Sequence, residues 1–238
     1  MIKAAVFDMD GTILDTAEDL RLAINHAMEQ TGHRHDFTRE DAYFFFGSGI
    51  MVAIRRALAR EAGAEREALI AIGTDAEGEI PAEVQAETEK IRAAYMPYYT
   101  LHCSEHTGPF EGIPEALRAL REAGIRTAVV SNKPDEATRK LAAETFPGLF
   151  DLAVGEHAGV RRKPAPDMTL TALRQLGVQP EEAVYIGDTE IDIETAANAK
   201  LRCVAVSWGF RSAAYLKERG AETIVSDAPQ MLSALTCG

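Results

Sequence analysis

The chain has 238 residues, of which 46% are hydrophobic and 26% charged, and its formal net charge is −12. This is the composition of a globular protein with room for one large α/β domain or two modest ones. The longest basic run is Arg161-Arg162-Lys163 and no apolar stretch nears the roughly 20 residues of a membrane helix, so neither nucleic acid nor a membrane is expected as a partner.

Residues 4–7, Ala-Ala-Val-Phe, read as a short buried strand that ends in Asp8-Met-Asp10-Gly11-Thr12. If that strand is central, both acids emerge at its carboxyl end, where open α/β sheets place their ligands. Carboxylates at i and i+2 share one side of an extended chain. About 4 Å apart at an effective dielectric near 20 they repel by roughly 4 kcal/mol, so the pair calls for a cation or a proton. An apolar start this short, followed at once by acids, is no signal peptide. The three cysteines, Cys103, Cys203 and Cys237, are odd in number and dispersed, which suits reduced thiols and a cytoplasmic location.

Beyond Thr12 the period becomes helical. Residues 16–31 carry Leu20, Ile24, Ala27 and Met28 on one face, with Asp15 or Thr16 as the cap; further helices are predicted over 49–62 and 82–102. The glycine- and proline-rich segment 106–114 reads as a linker. From there helices and strands alternate: helix 113–123, strand 126–130, helix 134–144, strand 151–154, helix 166–177, strand 183–186, helix 190–199, strand 202–206, strand 223–225 and a terminal helix. That alternation predicts a parallel sheet with right-handed crossovers, to which residues 3–7 must belong. The expected organisation is a catalytic core of residues 1–14 and 108–238, with a helical cap, residues 15–107, inserted where a water-excluding lid would attach.

Three further polar segments follow apolar strands or the loops beyond them. Ser131-Asn132-Lys133, ahead of Pro134, suits both a helix start and an anion site. Lys163 stands before Pro164 and can place a point charge against phosphate, with Arg162 as the other candidate cation. Gly187-Asp188-Thr189-Glu190-Ile191-Asp192 suits a capped helix and adds a third carboxylate at the same sheet edge. Oxygen donors without a histidine or cysteine cluster favour a hard cation, Mg²⁺. With one lysine and one hydroxyl, the set suits phosphoryl transfer: Asp8 as nucleophile kept ionised by Mg²⁺ and Lys163, Asp10 as the acid and base with its pKa raised, and Ser131 orienting the phosphoryl oxygens.

In this order, Asp8-Met-Asp10-Gly11-Thr12, Ser131-Asn132, Lys163-Pro164 and Gly187-Asp188-x-x-x-Asp192 resemble the four motifs of the haloacid dehalogenase superfamily, over essentially the whole chain. The resemblance implies an α/β fold, a Rossmann-like doubly wound parallel sheet core with an inserted α-helical cap domain. It also implies Mg²⁺ held by Asp8, the Asp10 main-chain carbonyl and Asp188, with Asp192 in support or ligating through water. Gly11, Thr12 and Asn132 are then expected to contact the phosphate. Phe44-Phe-Phe-Gly47-Ser48-Gly49 and Val206-Ser-Trp208-Gly209-Phe210 are similar to segments of the phosphoglycolate phosphatase-like group. That likeness places Gly47 and Ser48 near substrate and implies a small anionic phosphomonoester such as 2-phosphoglycolate. Asp10 argues against dehalogenation, and Lys90, the only cap lysine, lies far from the loop in which phosphonatases use theirs. A β-phosphoglucomutase-like phosphotransferase is the enzymatic alternative. A phospho-accepting receiver-like protein is the non-enzymatic one, although receivers lack the insertion and carry their aspartate later. Arg55 and Arg211 are candidates for a substrate carboxylate, and nothing in the sequence reports oligomeric state.

Overall fold

A computed structural model describes residues 2–236. The elements are β1 (Ala4–Phe7), β2 (Leu14–Asp15), α1 (Ala17–Gln30), α2 (Arg39–Phe45), α3 (Ile50–Glu61), α4 (Arg66–Leu69), α5 (Ala82–His102), β3 (Gly108–Pro109) and α6 (Ile113–Glu122). They continue as β4 (Arg126–Pro134), α7 (Asp135–Thr145), β5 (Leu152–Glu156), α8 (Asp167–Leu176), β6 (Ala183–Gly187), α9 (Glu190–Ala199), β7 (Arg202–Val206), α10 (Ala213–Glu218), β8 (Thr223–Val225) and α11 (Ala228–Thr236). The chain divides into two compact units, residues 1–15 with 108–238, and residues 16–107.

The first unit is built on a six-stranded parallel sheet in the order β5-β4-β1-β6-β7-β8. Strand order reverses direction at β1, which makes the sheet doubly wound and puts the topological switch point at the end of that strand. β1 is buried on both faces, as its unbroken apolar run requires. Ala5 and Phe7 join Ile113, Leu117, Phe146 and Met231 in one core cluster, while Ala4 and Val6 join Met168, Leu173 and Tyr185 in the other. Phe7 pairs with Val129 of β4 and Ile186 of β6, so Asp8 leaves the sheet level with the residues just before Ser131 and Asp188.

The second unit is helical. α1 and α5 pack together, and Ile24 and Ala27 of α1 and Ile91 and Tyr95 of α5 are buried. Its interior also holds a fully buried arginine. Arg56 donates to the main-chain carbonyls of Phe44, Phe45, Ile70 and Ile72 and to the Ser48 hydroxyl, satisfying the last turn of α2 and pinning the loop before α3.

Several expectations change. The strand placed at 126–130 runs on to Pro134, and the helix after it begins at Asp135. α2 was not foreseen; it is short, and its capping box uses Asp41 opposite Thr38 where Glu or Gln is the usual signal. The segment read as a linker contains β3, which pairs with β2 in a two-residue ladder too short to leave a periodic pattern. Thr16 occupies the cap position of α1, but its side chain makes no capping bond. Cys103 and Cys203 are free thiols, and Cys237 lies outside the described residues. Among the described residues no helix is long and apolar enough to cross a membrane.

Candidate active site

The carboxyl edge of the central strands gathers four carboxylates and two ammonium groups. Lys163, whose side chain is 1% exposed, places its Nζ 2.8 Å from Asp8 Oδ1 and 2.8 Å from Asp192 Oδ1. Asp8, Asp188 and Asp192 lie close enough for one ligand atom of each to fall within 4.8 Å of the others, and all three are buried. Asp10 follows two residues after Asp8 and forms an ion pair with Lys133, Nζ to Oδ1 2.9 Å. Ser131 is buried where β4 passes the end of β1, and its Oγ accepts the Lys133 N–H at 3.2 Å.

Each side chain is delivered by local structure. Gly11 turns the chain at φ +83°, and a Cβ there would stand 2.3 Å from Asp188 Oδ2, so only glycine lets the two loops touch. Asp192 opens α9 by accepting the Thr189 N–H and hydroxyl at Oδ2, which leaves Oδ1 for Lys163. Asn132 accepts the Lys163 N–H and donates to the Lys163 carbonyl, so one amide brackets the main chain of the lysine.

Charge follows from this packing. Burial, aided by Asp192 and Asp10 and opposed by Lys163, pushes the Asp8 carboxyl up to about 7. Burial and the nearby Asp192 and Asp8 push Asp188 well above the usual carboxylate range. Burial works against the charge on Lys163, yet Asp192 and Asp8 outweigh it and hold its pKa well above the ordinary value. The lysine therefore does not by itself hold Asp8 fully ionised; the expectation paired it with Mg²⁺ in that task. Two more acids than bases at one edge, all oxygen donors, fit a hard divalent cation such as Mg²⁺.

The metal-free protein is accordingly expected to lose stability as pH rises. A raised carboxyl holds its proton more tightly when folded; its contribution is complete below the ordinary 3.8 and is lost as pH climbs toward about 7. His33, raised by hydrogen bonds to Glu87 and Glu61 that outweigh its burial, shifts stability in the same direction. The Tm gain on adding Mg²⁺ isolates the acids from the histidine. That gain should grow by several degrees between pH 5.5 and pH 8, at roughly 2–4 °C per kcal/mol for a chain of this size. A gain independent of pH would contradict the reading.

Not every expected residue serves as expected. The Thr12 hydroxyl donates to Asp188 Oδ1 at 2.9 Å and the Gly11 N–H to the Leu14 carbonyl at 2.8 Å, so these two shape the loop and their donors are committed within the protein. Asn132 spends its amide oxygen and one amide N–H on the Lys163 main chain. Of the two candidate cations in the basic run, Lys163 and not Arg162 reaches the acids. Arg55 forms a two-pronged pair with Glu77, and Arg211 one with Glu190, so neither is poised for a substrate carboxylate. Gly47 and Ser48 belong to the helical unit, where Gly47 adopts φ +108° and the Ser48 hydroxyl accepts from Arg56. Lys133 was read as part of a segment suited to a helix start and an anion site, without a role of its own. Its place two residues after Ser131 was the available signal.

Comparison with known proteins shows the family to which the fold belongs. The haloacid dehalogenase-like hydrolase family profile matches residues 5–206. A phosphoglycolate phosphatase of Cereibacter sphaeroides is 33% identical over 213 residues, covering 87% of this chain and 86% of its own. The N-acetylmuramic acid 6-phosphate phosphatase of Pseudomonas aeruginosa is 32% identical over 213 residues, covering 88% and 83%. Among solved structures, one from Lactobacillus delbrueckii subsp. bulgaricus, named as a candidate phosphoglycolate phosphatase, shares 55% identity with a TM-score of 0.94 over 98% of both chains.

Proposed function

Because the chain belongs to the haloacid dehalogenase-like hydrolases, we propose that it is a phosphatase that cleaves a small phosphomonoester of the 2-phosphoglycolate kind through a phosphorylated Asp8. The observation that carries this reading is the buried Lys163 ammonium between Asp8 and Asp192 at the end of the central strand, with Asp188 in the same cluster. Asp8, Asp188 and the Asp10 main-chain carbonyl are the groups that would hold Mg²⁺, which when bound supplies positive charge to offset the phosphoryl oxygens. Asp192, both of whose oxygens have donors, serves to position Lys163.

In this reading Asp8 attacks the phosphorus while Asp10 protonates the departing oxygen. Lys163 offsets the charge on the transferring group, and Ser131 donates its hydroxyl proton to a phosphoryl oxygen. Water then attacks the aspartyl-phosphate as Asp10 takes up its proton, and Asp8 is regenerated. Lys133 fixes Asp10 for both steps. Substrate choice we assign to the helical unit, with Gly47 and Ser48 in the loop that Arg56 holds. A sugar 6-phosphate is the second reading, favoured by the near-equal identity to the N-acetylmuramic acid 6-phosphate phosphatase.

The test is a panel of phosphomonoesters, including 2-phosphoglycolate, amino-sugar 6-phosphates and glucose 1-phosphate, assayed with and without Mg²⁺. The highest kcat/KM is expected for 2-phosphoglycolate, with turnover only when Mg²⁺ is present and acid-quenched phosphate on the peptide that contains Asp8. Metal-independent turnover, or label on another residue, removes the mechanism; preference for the sugar phosphates transfers the assignment to the second reading. Asp10→Asn should retain phosphate binding yet lose about 10²- to 10⁴-fold in turnover.

A further inference from the structure

The segment Ser207-Trp208-Gly209-Phe210-Arg211, between β7 and α10, lies against Asp188 more closely than a side chain would permit. A Cβ on Gly209 would come within 2.3 Å of Asp188 Oδ2 and 2.3 Å of the Gly11 carbonyl oxygen. The next residue uses that approach: the Phe210 N–H donates to Asp188 Oδ2 at 2.7 Å. The other carboxylate oxygen, Oδ1, accepts from the Thr12 hydroxyl at 2.9 Å.

These contacts close a ring. Trp208 Nε1 donates to the Thr12 carbonyl at 3.0 Å, so the residue that grips Oδ1 is tied to the strap that grips Oδ2. Beyond Phe210, Arg211 Nε reaches Glu190 Oε2 at 2.9 Å and Nη2 reaches Oε1 at 3.2 Å. Arg211 and Glu190 are each only 3% exposed, and Glu190 is the first residue of α9, two after Asp188. A buried ion pair is seldom worth more to stability than an apolar pair of the same volume. Its planar fork does impose a fixed geometry, here between the strap and the helix start that follows Asp188.

We infer that the 207–211 strap, locked by the Arg211–Glu190 fork and the Trp208 anchor, sets the orientation of the Asp188 carboxylate toward its cation. Arg211, Glu190 and Trp208 are thus positioning residues acting through the Phe210 N–H and Thr12. The inference rests on the proposed reading of Asp188 as a cation ligand.

The test is Mg²⁺ binding measured by calorimetry on the full chain, with Mg²⁺ alone as the probe. In the R211M/E190L variant the core keeps its volume and loses the fork. The Mg²⁺ dissociation constant is expected to rise about 10- to 100-fold, the usual effect of removing an outer-shell partner, while the Tm of the metal-free protein stays within a few degrees of wild type. Trp208→Phe removes the second anchor at a half-buried position and should raise it severalfold. Wild-type affinity in both variants would overturn the inference and leave the active-site reading standing. If wild type binds no Mg²⁺, the metal reading itself falls and the inference with it.

Discussion

Asp8→Asn is expected to abolish turnover, by on the order of 10⁴-fold or more, while making the metal-free protein more stable above pH 7. The activity loss follows from the role of nucleophile: an amide cannot form the phosphorylated intermediate, and removing a nucleophile usually costs as much as removing the whole catalytic unit. The gain in stability follows from burial. The site holds an Asp8 carboxyl whose pKa is pushed up to about 7, so ionising it there is unfavourable, and asparagine fills the same space without a charge. Lys163 remains paired, because Asp192 still accepts from it at 2.8 Å. Steady-state phosphate release and thermal unfolding at pH 8 without Mg²⁺ measure the two halves separately. Turnover within tenfold of wild type would exclude Asp8 as the nucleophile, and a lower Tm would contradict the burial argument.

Lys163→Met should damage the fold as well as the chemistry. It leaves Asp8 and Asp192 facing each other in the interior with no cation between them, and removing one partner of a buried pair costs about 3–5 kcal/mol. For a chain of this length that corresponds to roughly 6–20 °C in Tm. The loss should be larger at pH 8 than at pH 5, where protons neutralise the stranded acids. Adding Asp192→Asn to the same protein removes one of those charges and should recover much of the stability and little of the turnover, which needs the cation itself. Equal Tm values for wild type and Lys163→Met at pH 8 would show that the pair contributes nothing.

The residues legible from sequence alone were those announced by an abrupt change of pattern. Asp8, Asp10 and Asp188 end apolar runs, and parallel pairing of those runs brings their ends to one edge regardless of detail. Lys163 was visible as a lysine before proline but became distinguishable from Arg162 only through its contacts. Thr12, Gly11 and Asn132 were expected on the phosphate through the family resemblance, and their hydrogen bonds to Asp188, Leu14 and Lys163 left no mark in the sequence. Phe210 was legible only as part of a segment with a family likeness, since what it contributes is a main-chain N–H, which every residue but proline carries. Arg56 was hidden for a different reason. It satisfies carbonyls of α2 and of the 70–72 turn, and neither element left a signal in the periodicity.

The pairing of β1 also governs when the site can come into being. Ala4 is bonded in register to Arg126 on one side and Ala183 on the other, so this strand is translated long before either neighbour. Until both have left the ribosome, four apolar residues and two acids wait with no sheet to join. A slow, late step of strand insertion is the kinetic counterpart of such distant pairing. Nascent chains that stop short of β6 therefore lack Asp188 and one edge for β1, and they present an unpaired hydrophobic strand to chaperones and proteases.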